Sequence, residues 1–75
     1  MSLSTMPAEQ LEQIAAAGGG FRLDATYRAT DDLVRIAAAA RTAGSRITFA
    51  GMAPRMLGDL VRIAAAGGGC ICFED

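Results

Sequence analysis

Asp32-Leu33-Val34-Arg35-Ile36-Ala37-Ala38-Ala39 and Asp59-Leu60-Val61-Arg62-Ile63-Ala64-Ala65-Ala66 are the same eight residues, met twice in a chain of 75. A looser third copy, Leu11-Glu12-Gln13-Ile14-Ala15-Ala16-Ala17, lies nearer the N-terminus, and residues 14–20 match residues 63–69 letter for letter. Superposing Ile14, Ile36 and Ile63 gives repeat offsets of 22 and 27 residues. A duplicated unit of this kind reports architecture strongly and chemistry hardly at all.

Working outward from the repeated string, each copy reads as a helix followed by a strand. In the second copy, Thr30 supplies a capping side chain, and Asp31 and Asp32 place negative charge over the positive end of the helix dipole. Leu33, Ile36, Ala37 and Ala40 then share one helical face, and Ala43-Gly44 ends the helix. Arg46-Ile47-Thr48-Phe49-Ala50 follows as a strand. The first copy is expected to start at Ser4 or Thr5 as N-cap, with Pro7 in its first turn and Leu11, Ile14 and Ala15 on its apolar face. Gly18-Gly19-Gly20 stops it, and residues 21–26 alternate apolar and polar as a half-buried strand does. The third helix is predicted over 54–66 with Met56, Leu60, Ile63 and Ala64 inward, and residues 70–74 form the last strand.

The order αβαβαβ predicts one α/β domain spanning residues 1–75, in units of about 5–28, 29–51 and 52–75. Strands joined through single helices lie parallel, with right-handed crossovers. The expected fold is a three-stranded parallel sheet with all helices on one face, a short solenoid. Register is the delicate point. Ile36 to Ile47 is eleven residues and Ile63 to Ile71 is eight, a difference of about one helical turn. We place Phe21 and Leu23 inward, with the glycines absorbing a one-residue slip.

This layout resembles a leucine-rich-repeat arc, with a short parallel sheet on one side and helices on the other, although that family's asparagine ladder is missing. Residues 21–74 are also similar to the second half of a sulphate-transporter and anti-sigma-antagonist domain, through the strand, the helix and the string Ala43-Gly44-Ser45-Arg46-Ile47-Thr48-Phe49-Ala50-Gly51. That resemblance implies a regulatory switch phosphorylated at a turn, but Thr30-Asp31-Asp32-Leu33 stands where the family has its Ser-containing motif.

Composition narrows the function classes. Seven arginines face eight acids and there is no lysine, so every cation is a permanently charged guanidinium. The arginines are spread rather than clustered, which argues against nucleic acid as partner. No apolar run approaches the length of a membrane span, and no secretory leader is visible near Met1, so the expected compartment is cytoplasmic. Richness in Ala, Gly and Arg is similar to that of proteins from GC-rich bacteria. With no histidine, the commonest general base and metal ligand is lacking, and no nucleophilic triad is present. We expect no enzyme and no cofactor.

The glycine triplets follow helices, whereas phosphate-cradling loops precede them, so they read as helix stops. Cys70 and Cys72 leave one strand face with Cα atoms about 6.5–7 Å apart, at the upper limit for a disulfide. They read as inert small residues, with a shared metal site or a redox role as alternatives. Arg35 and Arg62 are expected to pair with Asp32 and Asp59 three residues earlier. If Ile71 and Phe73 face the helices, the open sheet face carries Arg22, Asp24, Thr26, Arg46, Thr48, Ala50, Cys70, Cys72 and Glu74. Parallel sheets normally have both faces covered, so this face is a candidate interaction surface. Cys70-Ile71-Cys72-Phe73 is in addition an apolar edge open to pairing. The expected function is a protein–protein interaction or assembly module that forms a homodimer through that edge or the open face.

Overall fold

Apolar spacing, glycine stops and acidic first turns divide the chain into six elements. The computed structural model describes residues 6–74, with the order α1 (Ala8–Ala16), β1 (Phe21–Asp24), α2 (Thr30–Ala43), β2 (Ile47–Ala50), α3 (Leu57–Gly67) and β3 (Ile71–Phe73). The strands form one parallel sheet in the order β1-β2-β3. The fold is therefore the αβαβαβ solenoid read from the repeat.

The register settles the slip. Phe21 pairs with Ile47 and Ile47 with Ile71, while Leu23 pairs with Phe49 and Phe49 with Phe73. These two rows point at the helix layer. Leu23, Ile47 and Phe49 are buried with Leu11, Ala15, Leu33, Ile36, Ala37, Ala40, Met52 and Ile63 in one core. The unequal spacings come from helix length. The α2 helix runs seven residues beyond Ile36 to Ala43, whereas α3 runs four beyond Ile63 to Gly67, one turn fewer. Gly67 lies where α2 has Ala40, and a Cβ there would meet the Cγ1 of Ile71 at 2.2 Å, so the short return to β3 needs the missing side chain. Gly44 and Gly68 close α2 and α3 in the left-handed conformation, with φ of 73° and 54°.

Several sequence expectations need correction. Ser4 and Thr5 lie outside the described residues, and Pro7 occupies the N-cap of α1. The N-cap of α2 is Ala29 without a side-chain cap, because the Thr30 hydroxyl instead accepts a 3.0 Å hydrogen bond from Arg55 Nη1. The α3 helix starts at Leu57, three residues later than expected, leaving Met56 at its cap and strongly exposed. Ala64 is also exposed, since among the described residues no helix packs on the outer flank of α3. The core place expected for Met56 is filled by Met52.

Candidate interaction surfaces

Alternation along the strands puts Arg22, Thr48 and Cys72 in one row of the open face and Asp24 beside Ala50 in the next. Glu74 extends this face, its N–H donating to Phe49 O at 2.8 Å. One ion pair spans the sheet. Arg22 Nε and Nη2 donate to Glu74 Oε1 at 2.9 and 2.7 Å, joining β1 to the residue after β3. The bridge crosses the middle strand, where Thr48 is half-buried and Ala50 is buried. Its hydrogen bonds to the Glu74 carboxylate, and that group's negative charge, hold the Arg22 guanidinium above its ordinary pKa. Both side chains are well exposed, so salt screens this attraction.

Asp24 is fixed by its neighbour. Its Oδ1 accepts from Thr26 Oγ1 at 2.6 Å and from Thr26 N at 3.0 Å, and these bonds hold the carboxyl below its ordinary range. Gly51, at φ 74°, lets the loop after β2 approach, since a Cβ there would sit 2.1 Å from Thr26 Oγ1. Arg46 is exposed just before β2. Arg22, Asp24, Thr48, Cys72 and Glu74 thus share one face, whereas Ala50, expected to be exposed there, is buried; the charges of the face are largely internally satisfied.

The two cysteines part company. Cys72 lies exposed in the open face, whereas Cys70 precedes β3, is half-buried and packs against the core. The turn through Gly68 and Gly69 orients it, with Cys70 N–H donating to Gly67 O at 3.0 Å. Among the described residues no group of three or more His, Cys, Asp or Glu could hold a metal ion.

Both repeated arginines act between helices, and Arg35 also makes the expected pair within its own helix. Arg35 reaches Glu12 of α1 at 3.3 Å, with the expected Asp32 at 3.8 Å. Arg62 departs from expectation and reaches Asp31 of α2 at 2.8 Å. Each copy therefore lays its arginine on the helix before it. Arg55, not singled out from the sequence, fastens the loops at the C-terminal ends of β1 and β2. Its Nη2 donates to Ala25 O at 2.6 Å and closely to Arg28 O. Ser45, the one buried polar residue among those described, donates from Oγ to Ala15 O at 2.6 Å. A lone arginine and a lone serine in turn segments carry no spacing signal, so neither was legible.

A second surface, at the C-terminal end of the stack, was seen in the sequence only as an edge. Of the five exposed large apolar residues among the described ones, Met56, Leu57, Val61 and Phe73 belong to the last unit, and Tyr27 belongs to the loop after β1 in the first. Leu57, Val61 and Ala64 follow one flank of α3 at helical spacing. At the other end, the exposed side of α1 carries Glu9, Gln10 and Gln13.

Fold and surface define an α/β repeat domain whose described outer helices differ, α1 carrying Glu9, Gln10 and Gln13 and α3 carrying Leu57 and Val61. Compared with known proteins, the chain matches no family model, no curated protein and no solved structure. Among the described residues no helix is long and apolar enough to cross a membrane.

Proposed function

We propose that the chain is a small, non-catalytic assembly module that associates with a second copy of itself in the cytoplasm, without nucleic acid. One observation carries the reading, the exposed apolar residues gathered at one end of the repeat stack. Solenoids keep their terminal units soluble with a polar outer face; the exposed side of α1 carries Glu9, Gln10 and Gln13, whereas that of α3 carries Leu57 and Val61. A domain of this size also has little core to spare, so burying that end adds stability it needs. The ion pairs of the described residues join strands and helices.

Light scattering after size-exclusion chromatography, over a hundredfold range of concentration, tests this. The expected mass rises towards twice the chain's 7.7 kDa. A mass fixed at one chain throughout contradicts the reading.

A further inference from the structure

The self-association just proposed leaves its geometry open, and β3 constrains it. Resting on that reading, we infer that two copies join their β3 edges antiparallel about a two-fold axis through Cys72, with the α3 helices packed against each other above the seam.

The backbone sets the pairing. Ile47 N–H donates to Cys70 O and Glu74 N–H donates to Phe49 O, so the carbonyl of Cys70 and, by alternation, the backbone polar groups of Cys72 and Glu74 turn towards β2. Ile71 and Phe73 therefore present N–H and C=O groups to the open edge. Two such edges run antiparallel make Ile71 of each copy a hydrogen-bonded pair with Phe73 of the other. Cys72 then faces its own counterpart as the non-hydrogen-bonded pair, at a Cα separation of about 4.5 Å. The combined sheet has six strands, with every helix on the same side.

The side chains agree with a second copy as occupant. Val34 in α2 occupies the place that Val61 has in α3, and Val34 is half-buried against the core, one turn from Asp31, the residue that Arg62 of α3 reaches. The same string thus already packs against a helix once within the molecule. Leu57, Gly58, Val61, Ala64 and Ala65 on the outer flank of α3 are uncharged, so a two-fold brings no like charges together. Small residues at 58, 64 and 65 let two helices approach closely. The molecule measures 29 × 27 × 18 Å. An end face of roughly 500 Å2 per copy, about 1,000 Å2 for the pair, reaches the size at which specific interfaces begin. A two-fold closes on itself, whereas head-to-tail stacking of this end on another copy's α1 would continue into filaments.

Disulfide trapping reads this geometry directly, because an opposed pair at that Cα separation lies within disulfide range. The reduced protein is treated with copper(II)–phenanthroline, which takes two electrons as the two thiols lose their protons. Wild type and Cys70→Ser should give a covalent dimer, and Cys72→Ser should give none while keeping its dimeric mass. Val61→Glu and, as a second variant, Leu57→Glu should weaken the dimer at least a hundredfold with unchanged circular dichroism. A dimer that traps through Cys70 or not at all, and whose mass ignores both glutamates, overturns the two-fold pairing but leaves self-association standing. A monomer at every concentration overturns both.

Discussion

The α2 and α3 helices contain the same eight residues in different surroundings. Ile36 and Ile63 are both fully buried. Leu33 is fully buried while Leu60 is half-buried, Val34 is half-buried while Val61 is 58% exposed, and Ala37 is fully buried while Ala64 is exposed. Sequence is held constant here, so the differences report position in the stack. The α2 helix has neighbours on both flanks and α3 has one. Burial in a repeat fold belongs to the interface between units as much as to the unit.

Charge insertion separates the two copies most sharply. Ala37→Asp places an unpaired carboxylate in the core and should cost about 4 kcal/mol or more, enough to unfold so small a domain. Ala64→Asp should stay within about 0.5 kcal/mol in dilute solution. Urea denaturation of the pair checks this, and equal losses would erase the distinction. Truncation gives a smaller contrast. Leu33→Ala should cost about 2–5 kcal/mol and Leu60→Ala about half as much, whereas Ile36→Ala and Ile63→Ala should both fall near 2–5 kcal/mol.

The part legible in the sequence was the part set by periodicity. The inward face of α2 was read without error at Leu33, Ile36, Ala37 and Ala40, because that helix is flanked on both sides and its whole apolar stripe is buried. The same stripe misled at Ala64, where the pattern is intact but nothing covers it. Met56 misled through Pro54: helix-starting signals fit the loop, but the chain spends 52–56 bringing Met52 into the core and Arg55 onto carbonyls of the loop after β1. Thr30 has the chemistry of a cap, and Arg55 claims its hydroxyl first. The open sheet face was legible because strand alternation fixes it, but the Arg22–Glu74 bridge was not, since it joins residues 52 apart in sequence.

The smallest expected effect lies off both helices and gives their common baseline. Asp24 has its pKa lowered from the ordinary 3.8, so its bonds to Thr26 stabilise the fold above that value. This contribution fades as pH falls through the depressed folded value. Thermal melts of wild type and Asp24→Asn should therefore differ at pH 6 and converge near pH 2, with α2 and α3 affected alike. A gap that persists at pH 2 would assign the difference to something other than this carboxylate.

Amide hydrogen exchange across a dilution series asks most directly whether the uncovered side of the last unit is where copies meet. Ile71 and Phe73 should be protected at high concentration and exchange quickly when dilute, while Phe49 in the middle strand stays protected throughout. Rapid exchange of Ile71 and Phe73 at every concentration would contradict the account.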